Sequence, residues 1–200
     1  MSESAKDNQR VFTELHPKWL DDEVEKECFD EDFRRIILFY VFFSPCAKYS
    51  TQGRTLKYYG WKEKPWTPNQ YLKEKLSKNI FGEKEKNFRH AQSLEKFKKD
   101  LAELSLEDDF YQNLETERVA MMSIGGEGAA YMNLFAHIRC ALAHGRVAVY
   151  KDKQSSDYFL AMENGKGKKG KFQVRARMVL RKKTLLNWID IIQTGPDKEE

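Results

Sequence analysis

The sequence predicts a mainly α (α+β) protein: an antiparallel helical bundle with a small antiparallel sheet and a closing helix at its C-terminal end. Two observations carry that prediction. Apolar side chains recur at helical spacing in several charged, amphipathic runs between residues 30 and 145, and after Gly145 the period drops from about 3.6 to 2. Size supplies a third. At 200 residues and 23.6 kDa the chain exceeds an ordinary domain by little. A single domain over 1–200 is therefore expected, with its helical part over about 30–146 and its sheet and short helix over 147–193.

The elements follow in order. Polar ends at about 1–10 and 194–200 are expected to fray. Asp30 suits the N-cap of a helix through DFRRIILFYVFF, which Ser44 and Pro45 end, and the nearly all-round apolarity of that run marks a central, buried helix. The stretch from Ala47 to Pro68 reads as an aromatic-rich connection holding Trp61 and Trp66. Thr67 and Pro68 then open a second helix carrying Tyr71, Leu72, Leu76 and Ile80 before Gly82. Residues 84–104, with Phe88, Leu94, Phe97, Leu101 and Leu104, give a third, and about 107–122 a shorter fourth that Gly125 and Gly126 break. The last bundle helix, EGAAYMNLFAHIRCALAH, stops at Gly145, which suits the left-handed position just past a helix. RVAVYK, DYFLAM and KFQVRARMVL are expected to be three strands, the last two joined by the loop from Gly165 to Gly170, and LLNWIDII closes the chain as a helix.

Composition narrows the classes. With 40% hydrophobic and 13% aromatic residues the chain has too much apolar surface to stay disordered, despite 33% charged residues. Its net charge of +4 does not by itself demand a nucleic-acid partner. Charge is nonetheless uneven, because nine basic and no acidic residues lie between Lys166 and Lys183. Cys28, Cys46 and Cys140 have no CxxC spacing, so neither a disulfide framework nor a zinc knuckle is indicated. The start lacks the pattern of a signal peptide, and the longest apolar run, Ile36–Phe43, is far shorter than the roughly 20 residues that span a bilayer. A cytoplasmic protein without a membrane partner is the expectation.

Chemistry concentrates on the last bundle helix. Asn133, His137, Cys140 and His144 share a stripe about 60° wide, bordered by Ala136, Ala141 and Ala143, whose small side chains suit the close approach of another helix. Arg139 stands about 140° from His144 on an ideal helix, an angle its long side chain partly bridges. A histidine beside a permanent cation is what metal-free RNA cleavage requires. One group moves the proton of the attacking 2′-hydroxyl, and the other holds the phosphate as charge builds on it. The products would be a 2′,3′-cyclic phosphate and a 5′-hydroxyl.

At these residues the chain resembles a known family. FAHIRCALAHGR is similar to the signature helix of the HEPN superfamily, Arg followed by four to six residues and His. RRIILFYVFFSPCAKY is similar to that family's aromatic-rich earlier helix, and the resemblance extends over about 30–146. It implies a helical bundle that dimerises with two Arg-x4-His motifs face to face in a composite cleft, metal-independent endoribonuclease activity, and a toxin or anti-phage role with an antitoxin or inhibitor protein as a further partner. Arg139 and His144 would then be catalytic, with Asn133, His137, Cys140 and Arg146 supporting them. The residue after the arginine is usually polar in that family and is Cys140 here. Some members keep the fold for binding alone, so the alternative is a non-catalytic module gripping a nucleotide, RNA or a protein.

Lys166, Lys168, Lys169, Lys171, Arg175 and Arg177 are positioned to track an RNA backbone or to form a soluble hairpin tip. His137, Cys140 and His144 carry zinc-donor atoms on one face, but no neighbouring motif supplies a fourth ligand, so neither metal nor cofactor is expected. GKGKKGKF lacks the Ser or Thr of a phosphate loop and joins two strands, which argues against a nucleotide triphosphatase. Tyr58, Tyr59, Trp61 and Trp66, near Arg54, Lys57, Lys62 and Lys64, combine rings and cations of the sort that stack bases, though packing is the commoner use. Glu127 reads as a partner for the helix dipole.

Overall fold

Asp30 begins the first helix as its sequence suggests. In the computed structural model, which describes residues 29–46, 54–61, 70–78, 86–107, 116–123, 130–167 and 173–196, its carboxylate accepts from the Phe33 amide at 2.8 Å. Helix α1, Glu31–Ile37, continues in π-helical geometry over Leu38–Phe43. Consecutive residues Phe39 and Tyr40 are both buried there, while Leu38 and Phe42 remain 41% and 38% exposed. The central helix is thus buried on one side only. A 3-10 turn, Leu56–Tyr59, ends at Gly60 with φ +83°. Helix α2, Gln70–Ser77, buries Leu72 and Leu76.

The next segments depart from the expected bundle. Phe88–Ala91 is a strand, β1, and only then does Ser93 cap helix α3, Leu94–Glu103, by accepting from the Lys96 amide. Arg118–Met122 is a second strand, β2, inside the segment expected to be helical. Residues 108–115 of that segment lie outside the described residues. Helix α4, Ala130–Ala143, strands β3, Val147–Lys151, β4, Tyr158–Lys166, and β5, Gln173–Arg181, and helix α5, Lys182–Thr194, match their sequence patterns, except that β4 runs on through Gly165 and Lys166, expected in the loop, which instead pair with Val174 and Gln173.

These strands form one five-stranded mixed sheet in the order β1-β2-β5-β4-β3. Only β1 and β2 are parallel; the other pairs are antiparallel. A parallel pair needs a crossover, and α3 lies within it. One face of the sheet, through Val119, Met121, Leu160, Met162, Met178 and Leu180, packs on α4 and α5, and α1 and α2 complete the same core by packing on α5. The other, through Ala120, Phe159, Ala161 and Val179, packs on Phe97 and Leu101 of α3. The expected helical bundle with a small C-terminal sheet is therefore corrected. The sheet is central, is built from both parts of the chain, and is covered by helices on both faces.

Long-range polar contacts lock the helical layer. The Tyr40 hydroxyl donates to the Leu185 carbonyl at 3.1 Å, and the Trp188 indole N–H donates to the Leu76 carbonyl at 2.8 Å. Lys182 reaches the Asp30 carboxylate at 2.7 Å, joining the start of α5 to the cap of α1. Partial burial alone would raise the Asp30 pKa, but the bonds from Lys182 and Phe33 outweigh it and the carboxyl titrates below its ordinary value.

Candidate functional site

Helix α4 ends in a Schellman turn. The Arg146 amide donates to the Ala141 carbonyl at 2.8 Å and the Gly145 amide to Leu142 at 3.2 Å, with Gly145 at φ +63°. The turn needs a left-handed residue there, as the sequence suggests. It leaves His144 exposed at the carboxyl end of the helix, its amide donating to the Cys140 carbonyl at 3.1 Å.

The polar stripe is divided by its surroundings. Asn133 and His137, in the first turns, are buried; Cys140 is half-buried and His144 exposed. His137 is held at both ring nitrogens. Nε2 lies 2.9 Å from the Met122 carbonyl, to which it donates, and Nδ1 lies 2.8 Å from the Asn164 amide nitrogen, from which it accepts. That pattern fixes the neutral Nε2–H tautomer. Burial pushes its pKa down to about 4 against the opposing effect of the Met122 carbonyl, with the nearby His90 and Arg175 charges adding to the fall.

Asn133 joins a chain of polar groups at the carboxyl ends of β1 and β2. Its amide nitrogen is 3.2 Å from His90 Nε2, which is 2.8 Å from the Ser123 hydroxyl, and Ser123 donates to Gln92 at 2.8 Å. Burial holds the His90 pKa below its usual value. Sequence reasoning passed over His90, Ser123 and Asn164. Each lies 27 or more residues from its partner on α4 or β1, so no local spacing marks them.

Arg139 and Cys140 sit between the buried and exposed halves of the stripe. Both are half-buried, and Arg139 Nη1 is 4.0 Å from the Cys140 sulfur. The Arg139 Nε is buried with no hydrogen-bond acceptor among the described residues. Arg139 and Cys140 act electrostatically on the buried Cys46, whose thiol burial pushes up and whose sulfur bonds the Ser44 hydroxyl at 3.2 Å. The π-helical segment itself packs against α4.

The other expected site residues fall elsewhere. Arg146 directs its guanidinium to Glu163, 3.4 Å away. Arg177, expected on an RNA-facing surface, is buried instead: its Nε donates to the same carboxylate at 2.9 Å and its Nη1 to the Leu106 carbonyl at 3.2 Å. Its cross-strand position opposite Glu163 explains this, because both side chains share one face of the sheet. Arg175 is half-buried and reaches Gln173 at 3.4 Å, and Lys166 is exposed at the end of β4. Lys168, Lys169, Lys171, Trp66, Lys62, Lys64, Cys28 and Glu127 lie outside the described residues. Trp61 is buried, its indole donating to the Ile192 carbonyl at 3.0 Å, which makes it a packing residue.

Among the described residues no three His, Cys, Asp or Glu side chains gather as metal ligands, and His137 has both nitrogens engaged. None of the helices among them is long and apolar enough to cross a membrane. The described residues form an α+β fold around a mixed sheet, in which Arg139 and His144 both lie near the carboxyl end of α4. Comparison of the chain with family models, curated proteins and solved structures gives no match in any of the three.

Proposed function

We propose that this protein cleaves RNA without a metal, using Arg139 and His144 of two copies that share one cleft. The carrying observation is that the Arg139 side chain is partly open to solvent and has no carboxylate partner among the described residues. Such a guanidinium suits an external anion, and a phosphodiester offers one. His144 is exposed at the same end of α4, as a group that must reach a substrate hydroxyl has to be.

In the reaction, one copy's His144 takes the proton from the 2′-hydroxyl, O2′ bonds to phosphorus, and the bond to the 5′-oxygen breaks. The His144 of the second copy protonates that leaving oxygen, and Arg139 holds the phosphate as its charge rises. Two-fold symmetry supplies the acid and the base from one sequence position. Exposed Leu38 and Phe42 offer apolar surface for pairing with a second copy. What this reading keeps of the HEPN resemblance is the motif helix, not the bundle.

The test is to incubate the protein and its His144→Ala variant with RNA in excess EDTA and map the ends. Cyclic phosphates from the wild type alone are expected, and equal cutting by both proteins defeats the assignment. Binding without cutting by the wild type would favour the non-catalytic module, with the Cys140 thiol in the usual place of a polar residue as its specific support.

A further inference from the structure

Arg54 lies between two rings. Its guanidinium carbon is 3.9 Å from the Phe43 centroid and 4.3 Å from the Tyr58 centroid. Its Nη1 donates to the Tyr59 hydroxyl at 3.4 Å, and that hydroxyl donates to the Phe43 carbonyl at 2.6 Å. The 3-10 turn is thereby tied to the end of the π-helical segment. Its backbone is closed by bonds from the Tyr58 amide to Thr55 and from the Gly60 amide to Lys57, each 3.0 Å.

Within that fixed frame the Tyr58 side chain is 62% exposed. Tyr59 meets it at 82° with centroids 5.0 Å apart, so neighbours on two sides set the ring's orientation while most of it faces solvent. Lys57 is exposed beside it, and residues 54–61 carry two cations and no acid.

We infer that Tyr58, backed by Arg54, is a stacking platform for an unpaired base of single-stranded RNA, with Lys57 placed to meet a backbone phosphate; this rests on the RNA reading above. A base of any identity presents a flat face to a tyrosine ring, and the ring is already oriented, so stacking orders little that was free. A duplex keeps its bases stacked on one another and cannot use such a platform. The platform therefore selects single strands.

The experiment measures fluorescence anisotropy of a labelled, uncleavable 2′-O-methyl single strand and of its duplex, with wild type, Tyr58→Ala and Tyr58→Phe. Tyr58→Ala is expected to weaken single-strand binding roughly tenfold and to leave duplex binding unchanged, and Tyr58→Phe, which keeps the ring, to bind as wild type. Melting at the wild-type temperature, expected for so exposed a side chain, verifies that the variants are folded. Unchanged single-strand affinity in Tyr58→Ala overturns the inference, as does an equal loss in both variants or a wild type that binds no single strand. If wild type cuts RNA and Tyr58→Ala binds normally, stacking alone fails. Tyr58-dependent binding without cutting sinks the ribonuclease alone.

Discussion

His137 and Asn164, 27 residues apart in the chain, meet in the core, where the Asn164 amide donates to His137 Nδ1 at 2.8 Å. The contact joins α4 to β4 just before the strand's irregularity at Asn164 and Gly165. It turns half of a polar helix stripe into structure, because a buried imidazole with both nitrogens bonded is neither an available base nor an open ligand.

The first prediction concerns acid. His137 is neutral when folded, with a pKa of about 4, and gains its proton near its ordinary 6.5 when unfolded. Between those values the unfolded chain binds the extra proton, so stability falls as pH drops, by up to about 3 kcal/mol in all. Urea unfolding of wild type from pH 7 to pH 4.5 should show that loss, and His137→Gln should flatten its slope. An unchanged slope in the variant would place the acid sensitivity in another group.

A second prediction addresses Glu163, which is buried between Arg177 and Arg146. Arg177→Met removes the partner closer to the carboxylate, and breaking a buried pair from one side costs about 3–5 kcal/mol. Denaturant midpoints at unchanged m-value measure it. The loss should persist in high salt, because screening ions do not reach the pair. A loss below about 1 kcal/mol would mean that Arg146 holds the Glu163 carboxylate without it.

The third prediction separates Arg139 from Arg177 by their exposure. Arg139→Ala should weaken RNA binding and lower the slope of log affinity against log salt by about 1, as expected when one phosphate contact is lost. In a variant that remains folded, Arg177→Met should leave that slope alone. Equal slopes in wild type and Arg139→Ala would remove this arginine from the RNA contact.

Much of α4 and the C-terminal third is legible in the sequence. Asp30 as a cap and Gly145 as the left-handed end of α4 are signals between near neighbours, and the folded chain uses both; the runs read as β3 to β5 are strands, although β4 and β5 are buried on both faces and do not alternate. The two N-terminal strands are not legible in that way. Val119, Ala120 and Met121 in β2 are buried on both faces of the sheet, so the alternation that marks a half-exposed strand is missing, and Ala and Met also suit helices. β1 is four residues long, with Phe88 ahead of a true helical run from Leu94 to Leu104, and the two patterns merge on reading.

The sequence alone determined where helices α1, α2, α4 and α5 lie, where α4 stops, and that a histidine and an arginine stand near that stop. Tertiary structure decided which of the neighbouring polar groups stay open. Asn133 and His137 are buried against β1, β2 and β4, Arg177 is drawn to Glu163 across the β4 and β5 register, and His144 and Tyr58 are left facing solvent. The physical reason is range. Capping and periodicity act within a turn or two of the chain, whereas burial of a side chain depends on which distant strand packs over it, and one stripe on one helix can then hold both core and surface groups.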